Sequence, residues 1–466
     1  MQIPILSGVY ASKDPDFRVA YPHNLVPVPV SQGISAGYLR PADGLKEFAT
    51  GGGFDRGGIR WKDTLYRVQG TDLVSVSKFG SITVIGSVGP GGYCHFDYSF
   101  THLAVASGGR LYLYDGSALT QVTDADLGTV LSFVWVDGYF MTTDGTNLVV
   151  TELGDPFSVN PLKYGSSEFD PDSVQCVVEF GGEVYAVNRH SIEAFDNIGG
   201  SGFPFQRIDG SETARGAIGS HAASKFDDKM AFVGGGLDEG ISVYQYANGA
   251  TARIATREID LVLAGYTEAQ LADVVLEQRS HLGHEWLYVH LPDQSLVYDV
   301  AATRTMQEPV WFTLSGGTDG RTKYPARGFV NVYDKWLAGN PDGSQVVEID
   351  RSTSTHFGSN VAWEFDTQMI YNEGRGAIVH ELELVCQTGS IATGDNPVVS
   401  TSYSADGMSY SQERTRPAGK AGESIRRLRW LRAGMMDQRR TQRFRGDSSA
   451  HISITRLEAQ IEGLAN

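Results

Sequence analysis

The sequence predicts an all-β protein in which a β-propeller of about seven blades, with six as the alternative, is joined to a β-sandwich platform. Three observations predict this fold class. A short hairpin pattern recurs seven times between Thr64 and Asp350, six longer strand-like segments follow it, and helical periodicity is scarce. Glycine supplies 55 of the 466 residues, beside 21 Tyr and 21 Phe, which is typical of turn-rich β proteins.

Each copy of the hairpin pattern is an alternating apolar run, a polar or glycine turn, and a second alternating run. Alternation with a period of two predicts a strand with one apolar face, and Gly, Asn or Asp supplies the positive φ of the turn. The copies begin roughly 36 to 56 residues apart, as expected if each is the centre of a four-stranded blade. They are TLYRVQGTDLVSVS from Thr64, HLAVASGGRLYLYDG from His102, GYFMTTDGTNLVVTE from Gly138, GEVYAVNRHSIEAFD from Gly182, KMAFVGGGLDEGISVYQY from Lys229, EWLYVHLPDQSLVYDV from Glu285 and KWLAGNPDGSQVVEID from Lys335.

Three regions follow from this pattern. Residues 1–43 form a Pro-rich arm in which NLVPVPV, from Asn24, is an extended or edge strand, because proline cannot donate inside a sheet. Residues 44–352 form the propeller. Residues 353–466 contain six longer strands, which suit a sandwich platform that the arm joins. One short helix is predicted after Gly265, where Thr267 and Gln270 form a capping box.

Several functional classes lack support in the sequence. The first residues carry no basic signal region, and no apolar run approaches the roughly 18 residues that span a bilayer, so we expect folding in the cytoplasm. Three cysteines without metal-ligand spacing, Cys94, Cys176 and Cys386, are expected to be buried free thiols. No cofactor is predicted.

Catalytic motifs are similarly weak. Gly33–Gly37 matches G-x-S-x-G around Ser35 but lacks the flanking strand and helix of a nucleophile elbow. His281 and His284 stand beside Glu285 without the H-E-x-x-H order. The segment from Ser402 to Tyr410 resembles an Asp-box, which is a structural hairpin turn. No catalytic, cofactor-binding or metal-binding residue is therefore predicted. The acidic residues Asp227, Asp228, Asp238 and Glu239 are interpreted as a solvated face.

Charge is unevenly distributed along the chain. The net charge is −17, yet the segment from Ser411 to Gly446 holds eleven basic and three acidic residues, about +8, which leaves about −25 elsewhere. In SIRRLRWLRAG, alternation places Arg427, Arg429 and Leu431 on one face and Arg426, Leu428, Trp430 and Arg432 on the other. Arginine forms planar contacts with carboxylates and phosphates and is enriched with Trp at protein interfaces.

Three interpretations of this segment remain open: a subunit or partner interface, a solvated face, and contact with nucleic-acid phosphate. The acidic remainder argues against DNA binding as the main role, because phosphate contacts need a positive field. We favour an assembly interface. Its predicted residues are Arg426, Arg427, Arg429, Trp430, Arg432, Arg439, Arg440, Arg443 and Arg445.

Three stretches also resemble a known family. They are GYLRPADGLKEF after NLVPVPV, the block from GYTEAQLADVVLEQ to LVYDV, and SADG followed by RRLRWLRAG. In this order they resemble the packaged-DNA stabilisation proteins of short-tailed, P22-like bacteriophages, which are tail hub or nozzle proteins. The resemblance spans nearly the whole chain, and the central block is its most specific part.

The resemblance implies a non-enzymatic structural protein of the virion tail, made in the host cytoplasm. It implies a homo-hexameric ring below the portal and the head-to-tail adaptor ring, with a tail needle or plug and tailspikes or tail fibres as further partners. The ring would retain packaged DNA and form the conduit for genome ejection, without sequence-specific DNA binding or a small-molecule substrate. The alternatives are a propeller glycoside hydrolase, with converging carboxylates in an axial pocket, and a carbohydrate-binding propeller.

Overall fold

The structure is a computed structural model that describes residues 1–11, 17–30, 32–320 and 322–464. Seven antiparallel sheets are arranged in sequence order as propeller blades, and two further sheets form a sandwich. The predicted all-β fold class is confirmed, and the blade number is seven.

The N-terminal strands belong mostly to the sandwich. β4 pairs with β5, and β5 and β1 pair with β44 near the C-terminus, while β2 and β3 form a separate hairpin. β4 lies at the edge of its sheet, where the two prolines of LVPVP are tolerated, as predicted. The strands are β1 (Gln2–Ile3), β2 (Gly8–Ala11), β3 (Phe17–Ala20), β4 (Leu25–Pro29), β5 (Gly37–Pro41) and, in the propeller, β6 (Gly44–Thr50).

Every hairpin predicted from the sequence forms the two central strands of one blade. Blade 1 contains β7 (Asp55–Trp61), β8 (Thr64–Gln69), β9 (Asp72–Val76) and β10 (Ile82–Ser87). Blade 2 contains β11 (His95–Tyr98), β12 (Leu103–Ser107), β13 (Arg110–Tyr114) and β14 (Leu119–Gln121). Blade 3 contains β15 (Ser132–Val136), β16 (Tyr139–Thr143), β17 (Asn147–Glu152), β18 (Asp155–Val159) and β19 (Gly165–Ser166). Blades 4 and 5 contain β20 (Val174–Phe180), β21 (Glu183–Asn188), β22 (Ile192–Asn197) and β23 (Phe205–Arg207); and β24 (Gly216–Ala217), β25 (Ala223–Phe226), β26 (Lys229–Gly235), β27 (Ser242–Ala247) and β28 (Ala250–Arg253).

The last two blades follow a helical connection. Blade 6 contains β29 (Val275–His281), β30 (His284–His290), β31 (Ser295–Asp299) and β32 (Trp311–Leu314). Blade 7 contains β33 (Arg327–Val332), β34 (Lys335–Gly339) and β35 (Gln345–Asp350), and β6 from the start of the chain is its fourth strand. The first strands of successive blades contact one another, and β33 contacts β7, so the ring is closed non-covalently by β6.

Three α-helices are present among the described residues, so the prediction of a single helix is wrong. The predicted capping box of Thr267 and Gln270 is present and begins α2. The other two helices were missed because each is only seven residues long, too short for helical periodicity to be visible. The helices are α1 (Arg257–Leu263), α2 (Glu268–Ala272) and α3 (Val300–Met306), and two 3-10 helices cover Ala125–Leu127 and Pro161–Lys163. Among the described residues, no helix is both long and apolar enough to span a bilayer.

The blades bury both of their faces, whereas the sequence pattern predicted one apolar face for each strand. All residues of β12, β16 and β31 are buried. Hydrophobic clusters join adjacent blades, as where Trp61 and Val68 of blade 1 pack with Leu103 and Tyr112 of blade 2. Each blade lies between two neighbouring blades, so the small and polar residues that alternate with the apolar ones are buried as well. Cys94 and Cys176 are buried and Cys386 is half-buried, all as free thiols.

The sandwich is built from strands of the C-terminal region and the arm. One sheet has the order β4-β5-β44-β38-β41, and the other has the order β36-β43-β39-β40. Their shared core combines Ile3, Leu25 and Leu39 of the arm with Trp430 and Phe444. The strands are β36 (Trp363–Asp366), β37 (Ile370–Tyr371), β38 (Ala377–Gln387), β39 (Val398–Ser404), β40 (Arg414–Pro417), β41 (Leu428–Leu431), β42 (Met435–Met436), β43 (Arg439–Gly446) and β44 (Ser453–Gly463).

A buried ion triad lies where the chain passes from the sandwich into the propeller. Asp43 accepts hydrogen bonds from Arg40 Nη1 at 2.7 Å and from Arg279 Nη2 of blade 6 at 2.8 Å. All three side chains are at most 5% exposed. The Arg279 guanidinium also lies 5.2 Å from the Trp286 ring centroid. Burial alone would raise the pKa of Asp43, but the two arginines lower it to about 2.

Candidate assembly interface

The arginine-rich strand β41 is the edge of one sandwich sheet. It pairs with β38, which places Leu428 and Trp430 in the core and leaves Arg427 and Arg429 exposed. Leu428 and Trp430 are fully buried. The predicted face of Arg427 and Arg429 is therefore present, and it is the outer surface of the sheet.

Both exposed arginines pair with carboxylates of the neighbouring strand. Arg427 donates from Nε to Glu383 Oε1 at 2.5 Å, and Arg429 Nε donates to Glu381. The hydrogen bond from Arg429 lowers the pKa of Glu381. The two arginine side chains are 64% and 42% exposed, so solvent screens these pairs and they contribute little to stability. They are oriented by the sheet and accessible to a partner.

Two arginines that were not predicted cover the backbone of this edge strand. Arg414 of β40 donates to the carbonyl oxygens of Leu431 and Arg432, and Arg416 Nε donates to the carbonyl oxygen of Arg429 at 2.8 Å. Unpaired edge carbonyls are a template for pairing with another strand. Because side chains already occupy them, a partner would contact the face of this sheet and not extend its edge.

The remaining predicted interface residues differ in their contacts and in their exposure. Arg443 is bound to Asp366 and lies 3.7 Å from the Tyr410 ring centroid. Burial alone would lower the pKa of Arg443, but the nearby carboxylate of Asp366 raises it. Arg445 lies 3.5 Å from Glu413, and Arg439 Nε donates to the Ala405 carbonyl. Arg426 and Arg432 are exposed.

The structure differs from the sequence prediction in three details. Trp430 and Arg440 are 0% and 2% exposed, so neither lies on the exposed face that carries Arg427 and Arg429. Arginines do not occupy both faces of the strand, because Arg426 and Arg432 lie outside β41 and Arg432 has a positive φ of 52°. The inner face holds only Leu428 and Trp430. Alternation was extrapolated beyond the four residues that are actually extended.

The axis of the propeller is crossed by side chains from opposite blades. His95 of blade 2 stacks on His221 of blade 5, with their ring centroids 3.8 Å apart. The Nε2 atom of His221 lies 3.1 Å from the Tyr93 carbonyl oxygen, and the Arg327 guanidinium of blade 7 lies 4.4 Å from the Tyr93 ring centroid. Burial lowers the pKa of His95 to about 4, and it also holds the pKa of His221 well below its ordinary value. The axis is therefore not an open channel.

A cavity of about 700 Å³ lies beside the axis between blades 1, 2, 6 and 7. Its lining includes Tyr98, Phe329 and Trp336, and its one lining carboxylate, Asp63, is paired with Arg60. A glycoside hydrolase needs two carboxylates that flank the scissile bond. This lining does not provide such a pair.

Other first strands carry carboxylates that are already engaged. Asp97 accepts from the backbone N–H of Trp135 at 2.6 Å and of Tyr98 at 2.8 Å, and Glu179 is paired with Lys225. Desolvation raises the pKa of Asp97. Both carboxylates are therefore accounted for by structural contacts.

The weak sequence motifs have structural explanations too. Asp406 accepts hydrogen bonds from the backbone N–H groups of Met408 and Ser409, which lower its pKa and form the expected turn. His284 Nδ1 bonds Asp299 at 2.5 Å, and Ser35 Oγ donates to the Gly37 carbonyl. The described residues contain no group of three or more His, Cys, Asp or Glu side chains positioned to hold a metal.

Part of the acidic set predicted as a solvated face is instead ion-paired. Glu239 makes a bidentate pair with Arg215, whose hydrogen bonds lower the pKa of Glu239 to about 2. Asp227 is paired with Arg304 and its side chain is 7% exposed. Sequence spacing could not reveal these partners, because they lie on other segments of the chain.

Comparison with known proteins identifies the family. Residues 1–354 match the model of the bacteriophage P22 Gp10 β-propeller, and residues 362–462 match that of the bacteriophage P22 Gp10 β-sandwich. The chain belongs to the P22 Gp10 family. The resemblance stated from the sequence is thereby confirmed.

One relative in the Gp10 family covers nearly all of the chain. The tail hub protein gp10 of Salmonella phage P22 is 25% identical in an alignment of 455 positions, and the alignment covers 93% of this chain and 93% of that protein. Solved structures are more distant. PorZ of Porphyromonas gingivalis has a TM-score of 0.40 and 12% identity, covering 65% of this chain and 37% of that one. The Pan2 WD40 domain of Neurospora crassa has a TM-score of 0.42 and 10% identity, covering 66% and 96%.

Proposed function

We propose that this protein is the tail hub, or nozzle, of a short-tailed bacteriophage. In this role it forms a homo-hexameric ring below the portal and the head-to-tail adaptor, retains packaged DNA and forms the conduit for genome ejection. A tail needle or plug and tailspikes or tail fibres are its further partners. The full-length match to a tail hub protein, over both the propeller and the sandwich, is the observation that carries this proposal.

The blocked axis supports a ring of several copies. The ring of His95 from blade 2 stacks on the ring of His221 from blade 5, with their centroids 3.8 Å apart, so the two side chains block the axis. The major groove of DNA alone is about 12 Å wide, so a duplex does not fit through one propeller. The conduit must therefore lie between subunits. Excess carboxylate along such a conduit would repel the phosphates and let DNA slide.

We further propose that the protein is not an enzyme. The cavity beside the axis has one lining carboxylate, which is ion-paired, and the carboxylates of Asp97 and Glu179 serve structural contacts. Glycoside cleavage by the pure protein that one carboxylate substitution abolishes would contradict this assignment.

The proposed division of the chain is an arm of residues 1–43, a propeller of residues 44–352 and a platform of residues 353–466. The pairing of β5 and β1 with β44 supports the assignment of the arm to the platform. The pairing of β6 with β35 supports the start of the propeller at Gly44. The propeller would then be an insertion within the platform.

Assembly is expected to depend on the adaptor. We expect monomers in dilute solution and a six-fold ring when the purified adaptor ring is added, because hubs of this kind join a growing tail in order. Light scattering with and without the adaptor measures the mass, and electron microscopy of the complex gives the symmetry. Stable dimers or tetramers under both conditions would exclude the hub assignment.

Reversing the charge of Arg427 and Arg429 is expected to block ring assembly. The variant R427E/R429E changes two exposed groups, so the melting temperature should move little, since exposed ion pairs contribute roughly 0–1 kcal/mol. Arginines in a protein interface can contribute several-fold more free energy to binding than exposed ion pairs contribute to folding. Assembly on the adaptor is measured by light scattering and melting by circular dichroism.

The matched control is R60E/R304E. These propeller arginines are 52% and 60% exposed and each pairs with one carboxylate, so the same charge is reversed at similar exposure. The control should assemble. If R427E/R429E also assembles and retains DNA, the sandwich arginines are a solvated face; if it fails to fold, they are internal structural pairs.

A further inference from the structure

Arg440 is a buried cation for which the described residues supply no carboxylate. Its Nε and Nη2 atoms donate to Gln442 Oε1 at 3.0 and 2.7 Å, and its guanidinium lies 4.0 Å from the Tyr403 ring centroid. Its Nη1 atom is buried and has no hydrogen-bond partner among the described residues. Burial, together with the positive charge of Arg414, lowers the pKa of Arg440. Burying an uncompensated charge is costly, so this arrangement points to a missing anion.

A pocket of about 740 Å³ lies against Arg440. Tyr403, Met435 and Arg439 contribute to its lining. Gly434 covers the Nη1 side, where an added Cβ would stand 3.6 Å from Nη1. Asp406 also lines the pocket, but its carboxylate is held by the N–H groups of its own turn. Arg440 is itself one of the lining residues, so a group that enters the pocket meets this side chain.

We propose that this pocket receives an Asp or Glu side chain from a second copy of this chain, an inference that rests on the proposed assembly role. Arginine binds carboxylates through its planar fork, and the Tyr403 ring already fixes the plane of the Arg440 guanidinium. The contact is heterologous, since the donor patch differs from the acceptor patch, and heterologous contacts form a ring when the rotation between copies closes.

Charge complementarity favours a protein carboxylate over DNA phosphate. Outside the arginine segment the chain carries about −25, so every copy presents many carboxylates to its neighbour. A side chain can enter a pocket singly, whereas the phosphates of a duplex belong to a broad backbone that follows exposed positive grooves. Asp437 also lines the pocket, but it is exposed, so solvent screens its repulsion of an incoming carboxylate.

The decisive variant places a carboxylate in the pocket within one chain. Met435 lines the pocket and is 53% exposed, so Met435→Glu should raise the melting temperature and prevent ring assembly by occupying the site in cis. Met408→Glu is the matched control, because Met408 is 57% exposed and does not line the pocket. It should change neither property.

A second measurement is independent of assembly. Sodium acetate should raise the melting temperature of the full-length monomer above that in sodium chloride of equal ionic strength, and Arg440→Met should abolish the difference. Equal effects of the two salts, or identical behaviour of Met435→Glu and Met408→Glu, would overturn the proposal. Loss of DNA retention in Met435→Glu rings that still assemble would assign the pocket to phosphate and also overturn it. Failure of the wild type to form rings would contradict the proposed function, whereas the acetate result would still decide the pocket.

Discussion

Replacing Asp43 by Asn is expected to lower the free energy of unfolding by about 3–5 kcal/mol, the range for breaking a buried ion pair. The substitution preserves shape but leaves Arg40 and Arg279 buried without a counter-charge. It also loosens the point where the chain enters the closing strand β6. Urea denaturation followed by tryptophan fluorescence measures the change.

Asp63→Asn is the control for this substitution. Asp63 also pairs with an arginine three residues away, but its side chain is 86% exposed. We expect a change of less than about 1 kcal/mol there. Similar effects at both positions would show that the triad does not stabilise the junction.

The folded state is expected to lose stability steeply between pH 6.5 and pH 4. Burial lowers the pKa of His23, His95 and His356 from 6.5 to about 4. Above pH 6.5 neither state binds these protons; as the pH falls below 6.5 the unfolded chain binds them and the folded chain does not. Each histidine therefore removes about 3 kcal/mol by pH 4, at 1.36 kcal/mol per pKa unit.

The carboxylate of the triad does not contribute to this loss. The pKa of Asp43 is lowered to about 2, so its stabilisation is complete above about pH 3.8 and disappears only as the pH falls through 2. The variant His356→Gln should flatten the pH dependence by about 3 kcal/mol between pH 6.5 and pH 4. Thr355→Ala changes the same buried segment without removing a titrating group and should keep the wild-type slope. An unchanged slope in His356→Gln would contradict the assignment.

Local pattern sufficed for the blades and for the edge strand of the platform. Each predicted hairpin became the centre of one blade because adjacent strands and their turns involve neighbouring residues, as in the register of Leu65 with Val76. The prolines of β4 likewise restricted it to an edge. Local pattern could not predict the outer strand of blade 7, because β6 and its partner strand β35 are separated along the sequence by nearly the whole propeller.

The arginine segment shows the limit of periodicity. Alternation placed Arg427 and Arg429 on one face correctly, because Arg429 lies in β41 and Arg427 directly precedes that strand. It failed for Arg432, where the chain leaves the strand. The separate inclusion of Arg440 in the interface did not anticipate its burial, which depends on contacts with Tyr403 and Gln442. The residues next to Arg414 and Arg416 in the sequence did not indicate that these two side chains would bind the carbonyl groups of the edge strand.

The sequence alone established the all-β class, the hairpin repeat, the charge separation and the family resemblance, since these are properties of composition, short-range order and the order of motifs. Only the tertiary structure decided that the propeller axis is crossed by His95 and His221, that Asp43 joins Arg40 to Arg279, and that Arg440 has no counter-charge among the described residues. Each of these features depends on side chains from distant segments meeting in a desolvated space. Burial and long-range contact set their energies, and neither can be read from spacing along the chain.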